Sequence, residues 1–196
     1  MLCSLEHGPG HAAMIRAQLA AEGLEQEARV IEAALCPDPV AQPGCRWYDR
    51  AALASLPRRG VDLLLVDGPP ASPGTTFDRS RYPALPLLAD RLATGASMIL
   101  DDAERPGEAW VLERWQRELR IRFRRHCERI AIATTSREVV ARARLVRLRS
   151  QLTQGRMSLR TDRAEDGGIM RGRIFEGCML RDDDPATGRA EGERIE

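Results

Sequence analysis

The sequence contains no lysine and no asparagine, and all 30 of its basic residues are arginines. The missing lysine excludes a lysine general base from any mechanism. Such a bias is typical of a GC-rich, bacterial-type genome, so a single arginine carries less functional weight than usual. The 30 arginines face 29 acidic residues. Net charge therefore gives no reason to expect nucleic acid or another polyanion as a partner.

Two further features are missing: a long apolar segment and a paired-cysteine motif. The start, MLCSLEH, turns polar too early for a signal peptide, and no run of residues is long enough to span a membrane. The five cysteines include no CxxC pair, and their odd number favours reduced thiols. We therefore expect a cytoplasmic protein with no membrane partner.

The most informative stretch present is VDLLLVDGPP, residues 61–70. Its apolar run lacks alternation, which predicts a strand buried on both faces, as in a parallel sheet covered by helices. The strand ends at Asp67, and a second apolar strand ends at Asp101 and Asp102. Because the carboxyl ends of parallel strands line the ligand crevice of an open α/β sheet, these three carboxylates are the candidate catalytic residues.

Strand and helix patterns alternate along residues 1–138 and predict one doubly wound α/β domain, with a mostly parallel sheet and a closing antiparallel pair. A terminal helix is predicted over residues 139–152, and residues 153–196, which are rich in Arg, Gly and Asp, are predicted to be mostly disordered. The predicted strands are 2–5, 28–33, 61–67, 97–100, 121–127 and 129–135. The predicted helices are 11–22, 47–56, 83–92 and 106–119, with loops at 36–44 and, as a polar lid, at 71–80.

Five motifs, in this order, resemble a known family: SLEH at residues 4–7, GLEQEARVIEAAL at 23–35, VDLLLVDGPP at 61–70, RYPALPLL at 81–88 and LDDAERPGEAWVLERW at 100–115. Together they look like class I S-adenosylmethionine-dependent methyltransferases of the catechol O-methyltransferase-like branch. The resemblance implies a Rossmann-like fold, S-adenosylmethionine as cofactor, and methyl transfer to an oxygen or nitrogen of a small-molecule acceptor.

The resemblance also implies residue roles around the cofactor. In the family, an acid at a strand end binds the ribose hydroxyls, and Glu6 stands at that position with His7 beside it. A carboxylate suits a vicinal diol because it can accept a hydrogen bond from each hydroxyl. Ala33 and Ala34 would lie beside the adenine, and Asp67 would face the methyl donor.

Metal-dependent members of the family also hold a divalent ion of the Mg²⁺ type, on an Asp at one strand end and an Asp-Asn pair at the next. Asp67, Asp101 and Asp102 stand at these positions, so Asp102 replaces the amide. Oxygen ligands suit such a hard cation, and the resemblance implies a metal site on these three residues. The simpler alternative is that the carboxylates only cap the turns and helices that follow the strands.

One departure from the family leaves alternatives open. The family's first strand and glycine-rich loop should precede Glu6, where this sequence has five residues. We favour a domain without this strand, either an impaired methyltransferase or a non-catalytic remnant that binds a partner, and a homo-oligomer stays open. The other mapping uses HGPGH, residues 7–11, as the glycine loop and Glu32 as the ribose acid of an NAD-type oxidoreductase.

Overall fold

The chain folds as a mixed α/β protein, which confirms the predicted class at this coarse level. The computed structural model describes residues 1–70 and 79–164. The strands are β1 (Leu2–Glu6), β2 (Ala28–Glu32), β3 (Leu35–Pro37), β4 (Arg46–Tyr48), β5 (Val61–Val66), β6 (Leu92–Leu100), β7 (Arg124–Arg125) and β8 (Ala131–Thr134). The helices are α1 (Pro9–Ala21), α2 (Arg50–Leu53), α3 (Ala84–Leu88), α4 (Pro106–Leu119) and α5 (Arg137–Ala164), and a 3-10 turn spans Ala89–Arg91.

Parallel strand pairs carry all the predicted acidic strand ends. β1 pairs in parallel with β2, and β5 pairs in parallel with β6. β8 lies antiparallel between β6 and β7, so the four-stranded sheet has the order β5-β6-β8-β7. The predicted closing antiparallel pair is thus confirmed. Within the described residues, β1 and β5 are each paired along one edge only.

β5 is exposed on one face, so the prediction that it is buried on both faces was wrong. Val66 is 3% exposed and faces the core, whereas Leu63 and Leu65 are 53% and 58% exposed. These two leucines share one face because side chains alternate along a strand. No part of the chain that the structure describes covers that side. An unbroken apolar run therefore does not by itself report burial on both faces.

One apolar cluster joins the inner face of β5 and β6 to the helices α3, α4 and α5. Met98 and Leu100 of β6 and Trp115 of α4 are fully buried in it. The Trp115 indole N–H donates a hydrogen bond to the Tyr82 carbonyl at 2.9 Å, so the ring packs without leaving its polar atom unpaired. This cluster fixes the segment before α3 against α4, and that segment contributes to the site described below.

A hairpin of β3 and β4 replaces a predicted loop and the start of the helix predicted over 47–56. Trp47 and Tyr48 lie in β4 and are buried. Aromatic residues favour strands, and the burial of these two rings outweighs the helical pattern that follows. The helix that remains, α2, begins after Asp49, whose carboxylate accepts a hydrogen bond from the Ala51 N–H at 3.0 Å.

β6 is longer than predicted, since it begins at Leu92 rather than at residue 97, and α3 is correspondingly shorter. Gly95 lies inside this strand with φ of +88°, a conformation that glycine adopts without steric strain. The glycine lies between the helix predicted over 83–92 and the strand predicted over 97–100. In the structure it lets the extended chain turn within the strand.

α5 is longer than the predicted terminal helix and continues to Ala164, into the segment predicted to be disordered. Arg144 Nε and Arg147 Nη2 each donate to a carboxylate oxygen of Asp90 at 2.6 Å, which docks α5 on the 3-10 turn. Arginine is a good helix former, so the arginine-rich composition favours helix where one face can pack.

Two predicted segments lie outside the described residues: most of the lid, as residues 71–78, and the tail, as residues 165–196. In the part of the chain that is described, none of the helices combines the length and the apolar character needed to cross a membrane.

Candidate functional site

The three acids predicted at strand ends come together. Asp67 follows β5, Asp101 and Asp102 follow β6, and one carboxylate oxygen from each lies within 4.8 Å of the others. The sheet fixes this arrangement, because the Asp101 N–H donates to the Val66 carbonyl at 3.1 Å. Asp67 is exposed, Asp101 is partly buried and Asp102 is buried. The predicted convergence is confirmed, and the catalytic role of these residues stays a prediction.

Asp102 is the most heavily paired member of this cluster. Its backbone has φ of 55°, which residues other than glycine rarely adopt. Its carboxylate contacts three guanidinium groups. Oδ1 accepts a hydrogen bond from Arg129 Nη2 at 3.1 Å, and Oδ2 lies 3.2 Å from Arg81 Nη2 and 2.9 Å from Arg105 Nη1. Both oxygens of Asp102 are therefore already bound to cations.

Arg81 joins the two strand ends, and it was not among the predicted site residues. Its side chain is only 3% exposed. Nη2 lies 3.5 Å from Asp67 Oδ1 and 3.2 Å from Asp102 Oδ2. Nη1 donates to the Asp101 carbonyl at 3.0 Å, and Nε donates to the Pro69 carbonyl at 3.4 Å. Each nitrogen of the guanidinium thus has an acceptor from a turn that follows β5 or β6.

Glu108 adds a fourth carboxylate, on the first turn of α4. It is 1% exposed, and its Oε1 lies 3.4 Å from Arg81 Nε. The contact lacks hydrogen-bond geometry, and Oε1 has no hydrogen-bond partner among the described residues. Burial raises the pKa of Glu108 above its ordinary value, although the charge of Arg81 acts in the opposite direction. Burial thus favours the neutral form of this side chain.

Glu6 ends β1, and its carboxylate is enclosed by residues close to it in sequence. Oε1 accepts a hydrogen bond from the Gly8 N–H at 2.8 Å and lies 3.1 Å from His7 Nδ1, while Oε2 lies 2.9 Å from His11 Nδ1. Burial raises the pKa of Glu6, but the Gly8 N–H and the two imidazoles outweigh burial and hold the pKa below its ordinary value. Glu6 is therefore ionised at neutral pH, and His7 touches this carboxylate.

Tyr48, which sequence reasoning also missed, is close enough to Glu6 and to Asp67 for the charges of both to act on its phenol. A Cβ added to Gly68 would come within 2.4 Å of Tyr48 Oη, so the phenol reaches the turn that follows Asp67. Burial, followed by the charge of Glu6, raises the pKa of Tyr48 to about 12, and Asp67 raises it further while Arg81 lowers it. The phenol therefore stays protonated at neutral pH and serves as a hydrogen-bonding group rather than as a base.

A cavity of about 280 Å³ opens beside Tyr48. Its volume is close to the lower end of the range for small-molecule sites, roughly 300–1,000 Å³. Of the two predicted adenine contacts, Ala34 is exposed, whereas Ala33 is 2% exposed and its N–H donates to the Glu6 carbonyl at 2.9 Å. Their role beside a cofactor stays a prediction. The cavity is lined by Cys36, Pro37, Asp38, Pro39, Tyr48, Asp49 and Arg50.

The strand-end acids, paired as they are, do not fit a divalent ion. Their oxygens are of the right type and lie within 4.8 Å of one another. However, both oxygens of Asp102 are bound to guanidinium groups, and Oδ1 of Asp101 accepts a hydrogen bond from the Asp102 N–H at 2.8 Å. Among the described residues, Asp67 alone is largely free, and one exposed carboxylate is a weak ligand set. We therefore derive no catalytic step from a metal.

Comparisons with known proteins do not assign a family. No protein-family model matches this chain. No curated protein matches it either. The resemblance to methyltransferases therefore rests on the motifs quoted above.

Proposed function

We propose that this chain is a class I methyltransferase domain of Rossmann-like, doubly wound fold, which transfers a methyl group from S-adenosylmethionine to an oxygen or nitrogen of a small molecule. One observation supports this most: the acids that end parallel strands in two different sheets, Glu6 and Asp67, both act on the phenol of Tyr48. Glu6 lies on the β1 side, and Asp67 lies on the β5 side with Gly68 against the phenol. A ribose acid and an acceptor-side acid, on different strand ends, are what the resemblance implies. A cytoplasmic location belongs to the same proposal.

Glu6 is the cofactor-binding acid in this proposal. It is ionised, and its side chain remains 16% exposed. Its carboxylate would accept hydrogen bonds from the two ribose hydroxyls, and because three donors already surround it, the diol would have to replace one of them, such as His11. His11 is 56% exposed and so has room to move. The cavity beside Tyr48 and the exposed Ala34 border the adenine.

Asp67 is the acceptor-side acid. Its side chain is 64% exposed, and among the described residues its closest cation, Arg81 Nη2, is 3.5 Å away. The bound cofactor supplies an electrophilic methyl group on a sulfonium. Asp67 holds the acceptor hydroxyl or amine in line with that methyl group and takes the proton that the acceptor loses. In the transfer, the carbon–sulfur bond would break as the new carbon–oxygen or carbon–nitrogen bond forms, and S-adenosylhomocysteine would leave.

Isothermal titration calorimetry with S-adenosylmethionine and S-adenosylhomocysteine tests the cofactor half of the proposal. We expect binding by the wild-type chain and a loss of at least about tenfold in affinity, or 1.4 kcal/mol, in Glu6→Gln. Glu32→Gln is the matched control, because Glu32 also ends a strand but is 49% exposed and paired with Arg16. Absence of binding by the folded wild-type chain at millimolar ligand would refute the proposal.

The acceptor half is tested by methyl transfer from radiolabelled cofactor to a panel of phenols, alcohols and amines. Asp67→Asn should keep cofactor affinity and lose transfer by about 10²-fold or more, the usual contribution of general-base catalysis. Asp62→Asn, an exposed acid on the same strand, should leave both unchanged. Equal activity of Asp67→Asn and wild type on an accepted substrate would contradict the role given to Asp67.

The partner-binding alternative is favoured by a different observation. β5 has one unpaired edge within the described residues, and Leu63 and Leu65 expose an apolar face beside it. Exposed apolar strands of this kind are typical of interaction surfaces. A monomeric, cooperatively melting protein with measurable cofactor affinity would argue against a purely partner-binding role.

The NAD-type alternative is disfavoured by the contacts of Glu6. In that mapping, the pyrophosphate would bind at the start of α1, where Gly8 stands. The Gly8 N–H instead donates to the Glu6 carboxylate at 2.8 Å, so an anion from the protein already occupies this position. The alternative predicts that Glu32→Ala abolishes NAD binding while Glu6→Ala does not, and the calorimetry above can include NAD as a ligand.

A further inference from the structure

Arg81 is a buried cation that connects three segments around the strand-end acids. Its guanidinium contacts the turn after β5 through Asp67, the turn after β6 through Asp102, and α4 through Glu108, at 3.5, 3.2 and 3.4 Å. The side chain is 3% exposed. A buried guanidinium needs paired acceptors, and these acids together with two carbonyls supply them.

The contacts of Arg81 fall on the oxygens that a bridging ion would use. A divalent ion shared by Asp67 and Asp102 needs one oxygen of each as a ligand at about 2.1 Å. Asp67 Oδ1 and Asp102 Oδ2 both face Arg81 Nη2. Arg105 Nη1 lies 2.9 Å from the same Asp102 oxygen. An ion could enter this position only by displacing guanidinium groups, one of which is almost inaccessible to solvent.

Each of the three strand-end aspartates is paired with a guanidinium without an added cation. Three aspartates, at positions 67, 101 and 102, are within ion-pairing distance of three guanidiniums, those of Arg81, Arg105 and Arg129. A magnesium-type site instead concentrates uncompensated carboxylates, because the ion's own charge supplies the balance. An ion placed beside Arg81 would meet a like charge at short range.

We propose that Arg81 is the resident cation of this site: it positions Asp67 and Asp102 and takes the place of a divalent ion, so that the site works without a metal. Arg81 acts through the two acids and is a positioning residue rather than a catalytic one. The weak binding of cations by this site does not depend on which reaction the site performs.

A consequence for the substrate follows, and it rests on the proposed function. A metal ion would hold an acceptor through two neighbouring oxygens as a chelate. Asp67, held by Arg81, needs only one hydrogen-bond donor on the acceptor. The acceptor class is therefore a single hydroxyl or amine, and a vicinal diol such as a catechol gains nothing over a single phenol hydroxyl.

The test is titration with Mn²⁺, followed by the electron paramagnetic resonance signal of the free ion. We expect no binding to wild type below about 1 mM, the weak end of oxygen-ligand sites. Arg81→Gln should bind Mn²⁺ at least about tenfold more tightly, because Asp67 is released and Asp102 loses one of its three guanidinium contacts. The matched control is Arg79→Gln, an exposed arginine two positions away that stacks on Trp110 at 4.6 Å and should behave as wild type.

Arg129→Gln keeps the test decisive if loss of the buried Arg81 prevents folding. Arg129 is 62% exposed and pairs with Asp101 and Asp102, so its removal frees ligand oxygens while leaving the core intact. It should also gain Mn²⁺ affinity, and adding Asp101→Asn should remove the gain. Wild-type binding tighter than about 100 µM that Asp101→Asn abolishes would overturn the proposal, and so would folded arginine variants that gain nothing.

Measurements of Mn²⁺ binding and of cofactor binding distinguish the role given to Arg81 from the proposed methyl transfer. Cofactor affinity is measured by calorimetry in the presence and absence of EDTA, on the same wild-type protein. Cofactor binding together with tight Mn²⁺ binding overturns the role of Arg81 alone. Weak Mn²⁺ binding together with no cofactor binding overturns methyl transfer alone.

Discussion

Gly68→Ala tests the contact by which Tyr48 meets the turn after β5. A Cβ at this position would lie 2.4 Å from Tyr48 Oη and 3.6 Å from Cζ. The first distance is far shorter than a carbon–oxygen contact permits, and the second is ordinary. The phenol cannot simply swing away, because its ring is 7% exposed and packs edge-on against Trp47 with centroids 5.0 Å apart.

The expected loss of stability follows from this overlap. Overpacking of a well-packed site by one methyl group typically costs about 1–3 kcal/mol. Replacing glycine by alanine also restricts the unfolded chain, which returns about 0.4–1 kcal/mol. We expect Gly68→Ala to lower the free energy of unfolding by about 1–2 kcal/mol, which corresponds to a fall in Tm of roughly 2–8 °C for a chain of this size.

A double-mutant cycle isolates the contact. Tyr48→Phe removes the oxygen that overlaps and keeps the ring, so in that background Gly68→Ala should change stability by no more than about 0.5 kcal/mol. Urea unfolding followed by tryptophan fluorescence suits the purpose, because Trp47 packs on Tyr48 and reports the local packing. Far-UV circular dichroism on the same samples checks that the transition is two-state.

Two results would refute the reasoning. If Gly68→Ala destabilises the Tyr48→Phe protein as much as wild type, the two changes are additive and the hydroxyl is not the obstacle. If Gly68→Ala is neutral in wild type, Tyr48 can move, and the turn after Asp67 is not held by the phenol. Either result would mean that Tyr48 does not hold the turn that follows Asp67, on the acceptor side of the site.

Three further changes probe other parts of the fold. Trp115→Phe should lower the free energy of unfolding by about 2–4 kcal/mol, since it leaves a cavity and an unpaired carbonyl on Tyr82; an unchanged urea midpoint would argue against this packing. The pKa of Glu6 is lower in the folded than in the unfolded state, so its stabilising contribution is present above the unfolded pKa and is lost as pH falls through the folded pKa. Glu6→Gln should therefore flatten the dependence of the unfolding free energy on pH in the acidic range. Between pH 8 and 9 it should leave the slope of that dependence unchanged. Asp90→Asn should lower the free energy of unfolding by about 0.5–1 kcal/mol, because it removes the ion pairs that hold α5. Glu113→Gln, which removes one partner of an exposed ion pair, should change it by almost nothing, and thermal melting compares the two variants.

Elements with local signals were predictable from sequence. α4 begins at Pro106 and ends at Leu119, as predicted, because proline suits the first turn of a helix and the apolar residues that follow have helical spacing. β1 ends at Glu6, also as predicted. The hairpin of β3 and β4 was not predictable in this way. It depends on the burial of Trp47, which only the assembled core provides.

Within the candidate site, too, some features had a signal in the sequence and others depended on the assembled fold. Convergence of Asp67 and Asp101 could be predicted, because pairing of parallel strands brings their carboxyl ends to one edge of the sheet. The exposure of Leu63 could not be predicted, because a strand with one uncovered face and a strand with none can have the same apolar run. The proximity of Tyr48 depends on a hairpin that was itself missed.

Arg81 shows why composition is a poor guide to which arginine matters. The bias that supplies 30 arginines and no lysine explains their number, and it led us to discount each of them. Burial distinguishes Arg81 from the exposed arginines, because a guanidinium that is 3% exposed must have its donors satisfied by the protein. The planar fork of five donors can contact Asp67, Asp102 and two carbonyls at once, whereas an ammonium offers three donors from a single nitrogen. The position thus requires arginine for a geometric reason that is independent of the bias, and Arg81→Lys would not be a conservative change.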